Sequence, residues 1–275
     1  MAARRAYDAT ACRYPHERTI LALTLVMVFL IIALTSTATL CAGFLVTVAV
    51  VVLSYARNRA QHQTLLQQAS PVTPERYPAL ATIVAASVDL LQVSRVEVFL
   101  APGDALNAYT FGLFPPQVVV LLSPLLQVMD EDELRFVLGH ELGHVRLGHT
   151  WLNSLVGGMA GVPSPFMAAA VLSLAFLWWN RACEYSADRA GLLACGKPHK
   201  AISALVKLAL GTGAATQPDL ARAWQQIEAE DDSALAGLGE ALSTHPMMIR
   251  RIEKLRRYAD SAGYRRLQER VAQRA

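Results

Sequence analysis

Between residues 20 and 55 the chain carries no charged side chain, and this 36-residue run restricts its folding more than any other feature. A backbone placed in hydrocarbon must satisfy its own polar groups, so such a run is helical if it enters a bilayer. One crossing takes about 20 residues, which makes the run too long for a single span. The polar break Thr35-Ser36-Thr37-Ala38-Thr39 divides it. A transmembrane helical hairpin is expected, out over residues 19–34 and back over 40–55, with one long tilted helix as the competing reading. A secretory signal has a much shorter apolar region followed by a cleavage site, and neither is present. Arg4, Arg5, Arg13 and Arg18 precede the run, and Arg57 and Arg59 follow it. Basic flanks at both ends put both on the cytoplasmic side. Composition agrees, with 53% hydrophobic and 17% charged residues, against about 25% charge in a soluble domain.

The expected organisation is therefore a basic flank and two-span hairpin over residues 1–56, then a cytoplasmic domain over 57–275. The protein would be multi-pass in the cell (inner) membrane. Four cysteines without finger spacing imply neither a disulfide framework nor a zinc finger, which fits a reducing compartment. Cys183 reads as a small buried packing residue. Residues 57–79, polar and broken by Pro71, Pro74 and Pro78, read as a linker. An amphipathic helix is expected over 77–91, and strands over 96–100, 107–110 and 118–122. The domain is thus α+β and mainly helical, with a small sheet directly before the next helix.

That helix carries Gly139-His140-Glu141-Leu142-Gly143-His144. Histidines four residues apart lie about 40° apart on one helical face, one turn above the other. Two neutral imidazoles so stacked can share one tetrahedral cation, and zinc is the usual occupant. Glu141 lies next to His140 and is suited to act as general base. Asp130 with Glu133 resembles a capping box, and the acidic run 130–133 suits a helix N-terminus.

A catalytic zinc takes three protein ligands and keeps one position open. A His-rich continuation of the motif would need Gly and His at positions 147 and 150, which are Leu147 and Thr150. His149 is one residue out of register and reads as a structural group or a support for a ligand at the helix end. A later helix supplies Glu184 and Asp188, which share a face at i and i+4. Glu184 is expected on the metal and Asp188 on the outer N–H of a ligand histidine. Read alone, the same residues form an ordinary surface ion-pair cluster.

Because His144 and Glu184 must meet, the apolar stretch 155–179 must cross the bilayer an even number of times. Its 25 residues are too few for the ~40 that two crossings take. A short hairpin turning at 163–165 is expected, dipping into the membrane surface with Trp178 and Trp179 at the interface, or buried within the domain. Residues 197–210 and 219–230 look helical. The tail from 246 to 275 holds nine Arg/Lys against three Asp/Glu. It reads as a solvated or lipid-facing helix; without aromatic interleaving or a nucleic-acid motif, no nucleic-acid partner is expected.

Together these features resemble the HtpX-like and CAAX-prenyl-protease-like membrane-associated zinc metallopeptidases, which are gluzincins. The likeness rests on Asn107-Ala108-Tyr109, Asp132-Glu133-Leu134 leading into the His140–His144 motif, Glu184 through Asp188-Arg189-Ala190-Gly191, and Thr244-His245-Pro246 with Arg251-Ile252. It implies a zincin-like domain, one Zn²⁺ per chain on His140, His144 and Glu184, and Glu141 as base. It also implies His245 near the site, stabilising an oxyanion or touching substrate, unless that histidine only caps a helix. The chain departs from HtpX in having only the short 155–179 region where HtpX has two clear spans. Asn107, Ala108 and Tyr109 are expected to form an edge strand that holds an extended polypeptide substrate by backbone hydrogen bonds; an ordinary hairpin strand reads equally well. The expected activity is zinc-dependent endopeptidase cleavage in membrane or misfolded-protein quality control. A narrow precursor-processing protease and a non-proteolytic chaperone-like assembly factor are the alternatives.

Overall fold

Two long helices lead the chain. A short 3-10 turn, Ala9–Cys12, precedes α1 (Glu17–Ala38), and α2 follows at Ala42–Gln68. The structure, a computed structural model, describes residues 8–39, 42–156, 167–211 and 246–273. Among these, α1 alone is long and apolar enough to cross a membrane, with a mean hydropathy of 2.6. Its outward side chains are bare: Phe29 is 69% and Leu34 68% exposed.

Helix α2 corrects the sequence reading of a linker. It does not stop near Tyr55 but runs unbroken to Gln68, through the expected boundary at 56/57. Leu65 and Leu66 pack with Ala69 against Ala101, Phe111, Val120 and Leu122 on one face of the sheet. His62 stacks on Phe111 with ring centroids 3.7 Å apart. So few apolar residues leave little periodicity to read in advance.

The sheet holds β1 (Ser70–Pro71), β2 (Val96–Ala101), β3 (Ala108–Phe111) and β4 (Gln117–Leu122) in the order β1-β2-β4-β3. Strand β1, two residues long, was not foreseen. β2 and β4 run parallel, and β3 pairs antiparallel with β4 through Tyr109↔Val120 and Thr110↔Val119. Val119 to Leu122 are buried on both faces, as a central strand requires and as the continuous Val-rich run implied. β3 lies at the edge.

Helix α3 (Pro78–Leu91) precedes β2, and the short α4 (Pro124–Val128) follows β4. Helix α5 (Glu131–Leu147) begins at a complete capping box, in which Asp130 and Glu133 each accept the other's backbone N–H at 2.9 Å. Glu133 is fully buried and also binds Ser203 Oγ at 2.6 Å and Lys207 Nζ at 2.7 Å, tying in α8 (Pro198–Leu210). Gly148, at φ 78°, ends α5 because a left-handed cap favours glycine. Helices α6 (Thr150–Val156), α7 (Met167–Cys195), α9 (Pro246–Ala259) and α10 (Ala262–Ala272) complete the described chain.

Helices α5 and α7 meet through small residues. A Cβ added at Gly139 would stand 2.5 Å from Ala194 Cβ, and one at Gly143 2.7 Å from Ala190 Cβ. On α7, a Cβ at Gly191 would stand 2.7 Å from the Phe136 carbonyl oxygen. Two helix backbones come this close only where side chains are absent. Trp179, expected at the membrane interface, is instead 2% exposed beside Ile20, Leu152 and Phe176, whereas Trp178 is 55% exposed. The expected turn at 163–165 and the helix expected over 219–230 lie outside the described residues.

Gly191→Ala gains about 1 kcal/mol of helix propensity but must displace a backbone carbonyl, and overpacking of this kind costs about 1–3 kcal/mol. A net fall in thermal midpoint of a few degrees is expected by calorimetry; a rise would mean that α5 and α7 are not in close contact.

Candidate metal centre

Close packing of α5 on α7 brings together the three groups read from the sequence. His140 Nε2 and His144 Nε2 lie 3.2 Å apart, and Glu184 places Oε2 at 3.5 Å from the first and Oε1 at 3.5 Å from the second. Both imidazoles are nearly buried, and the Glu184 side chain is 34% exposed. A tetrahedral ion with bonds of about 2.0–2.2 Å sets its ligand atoms roughly 3.3–3.6 Å apart, so the cluster has the dimensions of a metal site.

The chemistry of the donors agrees with those dimensions. His140 Nδ1–H donates to Asp188 Oδ1 at 3.0 Å, and Asp188 is 1% exposed. His144 Nδ1 meets His149 Nδ1 at 3.0 Å. Burial lowers the His149 pKa to about 4, against the opposing hydrogen bond to Glu17, so His149 is neutral. It accepts from His144 at Nδ1 and donates from Nε2 to Glu17 Oε1 at 3.2 Å. With both Nδ1 positions taken, each Nε2 faces the other and the Glu184 carboxylate, which raises the His144 pKa against its burial. The three groups thus favour positive charge in the space between them, which a bound metal cation would supply.

Arg251, on α9, was not foreseen as part of the site. Its Nη1 lies 2.9 Å from Glu184 Oε2, and its Nε and Nη2 donate to Asp188 at 2.9 and 2.6 Å. Burial opposes the charged forms of both Glu184 and Asp188, yet Arg251 and the imidazoles outweigh it and hold both below their usual pKa. The Arg251 pKa is correspondingly raised, because the two carboxylates outweigh its own desolvation. The sequence names Arg251 only within the family likeness and the basic tail and gives it no role, since nothing local distinguishes it from Arg250 or Arg257.

Glu17 was missed for the same kind of reason. It lies in the first turn of α1, is 2% exposed, and binds Arg13 and the Ser186 hydroxyl besides His149. The Tyr14 N–H donates to that same hydroxyl at 2.7 Å. Cys183, 1% exposed, lies beside this group. Burial drives its thiol pKa far upward, so it remains protonated and packs there, as expected.

The Glu141 carboxylate accepts a hydrogen bond from the Thr110 hydroxyl on β3. Between β3 and α5 opens a cavity of about 670 Å³, lined by residues 104–110, His140, Glu141, His144, Glu184 and Arg251. Asn107 and Tyr109 are exposed on it, and the Ala108 N–H is held by Asn107's own side chain at 2.9 Å rather than by β4. His245 lies outside the described residues.

An H-E-x-x-H helix joined by a glutamate from a later helix, beside a small sheet with an edge strand, defines a zinc metallopeptidase. The chain belongs to Peptidase family M48, whose sequence model matches residues 74–170 and 164–259. A protease HtpX homolog of Kineococcus radiotolerans is 30% identical, covering 72% of this chain and 78% of that protein. Another, from Desulforapulum autotrophicum, is 30% identical, covering 71% and 74%. A plastoglobule-localized metallopeptidase 48 of Arabidopsis thaliana chloroplasts is 27% identical over 73% of this chain. The chain spans 62% of that last protein's length. No solved structure matches.

Arg251→Ala leaves two clustered carboxylates without their cation, a loss that costs about 3–5 kcal/mol for a buried pair. Denaturant unfolding of metal-free protein is expected to show a loss of that order, and an unchanged midpoint would rule out the bridge.

Proposed function

We propose that the chain is a membrane-anchored zinc endopeptidase in which His140, His144 and Glu184 hold one Zn²⁺ per chain and Glu141 is the general base. One observation carries this reading: two imidazole nitrogens 3.2 Å apart, each 3.5 Å from an oxygen of the Glu184 carboxylate, stand beside Glu141 at the wall of an open cavity. When bound, the ion supplies Lewis-acid polarisation of a peptide carbonyl and acidification of water. Glu141, oriented by Thr110, takes a proton from the attacking water and passes it to the leaving amine. Asp188 fixes the tautomer and ring orientation of His140, and Arg251 holds Asp188 and Glu184 in register.

The polypeptide substrate lies extended along β3. Its backbone takes over the Ala108 N–H from the Asn107 side chain, and Tyr109 offers an aromatic surface beside the cleavage point. His245, six positions before Arg251 in the sequence, is proposed to act on the developing oxyanion, as the family resemblance implies. Misfolded or membrane-embedded chains are the substrates proposed, in quality control.

The N-terminal segment is proposed to be a two-span hairpin, with residues 57–275 on the cytoplasmic side of the inner membrane. Its support is twofold. Leu45 and Leu53 on α2 are 66% and 65% exposed, like the outer face of α1. Both outer ends return to the domain, through Glu17 to His149 and through Asn58 to the Ser154 carbonyl at 3.3 Å. The hairpin is therefore part of the site as well as its tether. Glu17 orients His149, which in turn orients His144.

Glu141→Gln is expected to retain zinc, measured by metal analysis, and to lose casein cleavage; normal turnover would remove the mechanism. Glu17→Ala is expected to release zinc to a chelator roughly 10–100-fold more readily, the usual effect of losing an outer partner of a ligand histidine. Ser186→Ala, which leaves the His149–Glu17 bond in place, serves as the control; equal zinc loss from both variants would count against the relay.

A further inference from the structure

A second cavity, about 650 Å³, lies between the segment leading into α1 and helices α7, α9 and α10. Six cationic side chains line it, Arg13, Arg189, Lys254, Arg257, Arg266 and Arg270, and among the described residues no carboxylate does. Arg13 is committed to Glu17. Arg189 is half-buried: it donates to the Arg13 carbonyl at 3.2 Å and lies 4.2 Å from the Tyr258 ring centroid and 5.0 Å from that of Tyr14. Lys254 Nζ lies 5.7 Å from the same Tyr14 ring. Among the described residues, neither Arg189 nor Lys254 has a carboxylate partner. Two cations thus share one aromatic ring in a recess where water screens them less than on an open surface, and like charges so placed repel. A polyanionic group entering the recess would relieve that repulsion and find planar guanidinium forks suited to phosphate oxygens.

We propose that this cavity binds the phosphate headgroup of an anionic membrane lipid. The assignment to lipid rests on the membrane reading of α1. Tyr14 and Pro15 line the cavity, and α1 begins at Glu17, within one helical turn of them. The recess therefore opens where the chain would enter the bilayer, at headgroup depth. Helix α1 then continues with exposed Leu23, Met27 and Leu30, apolar surface against which acyl chains can lie. A free phosphate offers the same charge but nothing for that surface.

The test uses the full chain, wild type and the triple variant Lys254→Ala, Arg257→Ala, Arg266→Ala, reconstituted in nanodiscs of phosphatidylglycerol and phosphatidylcholine. Lipid retained after release is read by native mass spectrometry. The wild type is expected to keep phosphatidylglycerol selectively. Each cation beside an anionic surface is worth about fivefold in binding, so the triple variant is expected to lose retention by on the order of a hundredfold. Equal retention of the two lipids, or equal phosphatidylglycerol retention by both proteins, overturns the site. Inorganic phosphate raising the thermal midpoint of the wild type alone, without lipid selectivity, overturns the lipid source in favour of a soluble phosphate. Alkaline carbonate extraction separates the two readings. Resistance to extraction without lipid selectivity defeats the headgroup site alone, whereas extraction of the chain defeats the membrane reading and the lipid source with it.

Discussion

Gly139 and Gly143 let the backbone of α5 approach α7 so closely that a carboxylate on one helix reaches two imidazoles on the other. Everything at the site follows from that approach. A side chain larger than hydrogen at either position would meet Ala194 or Ala190 below contact distance, and the helices would part by more than the site tolerates. The same six residues, 139–144, therefore do two jobs. Their histidines and glutamate face the cavity, and their glycines face α7.

Two buried polar arms brace the candidate ligand histidines, and they arrive from opposite ends of the chain. Asp188 and Arg251 join His140 to α9, and His149 and Glu17 join His144 to α1. Each arm ends on an ion pair, Asp188 with Arg251 and Glu17 with Arg13, so neither histidine can turn without breaking a buried hydrogen bond to a fixed partner. The arm through Glu17 also lies outside the residues matched by the family model, 74–259. The first turn of α1 is thus a structural part of the candidate metal centre as well as the start of the apolar helix.

Much of this was legible from local pattern. The capping box at Asp130, the i, i+4 pairs His140/His144 and Glu184/Asp188, and strands β2, β3 and β4 all depend on neighbours a few residues away, and each was read correctly in kind. The continuation of α2 past Tyr55, the two-residue β1, the burial of Trp179 and the roles of Glu17 and Arg251 were not legible. Leu65 and Leu66 become a packing face only once β4 and Phe111 are beneath them. Arg251 is one of nine basic residues in its segment, and only proximity to two carboxylates from another helix sets it apart.

By itself the sequence determined which residues would meet at the site and on which helices, because ligand spacing and helix phase are properties of a few consecutive residues. It also determined that an uncharged N-terminal run would seek an apolar environment. Only the tertiary structure decided what surrounds the ligands: which guanidinium neutralises Glu184 and Asp188, that a glutamate 132 positions away supports His149, and which edge of the sheet faces the cavity. Those partners are remote along the chain, and a contact between remote residues has no local period from which it can be read.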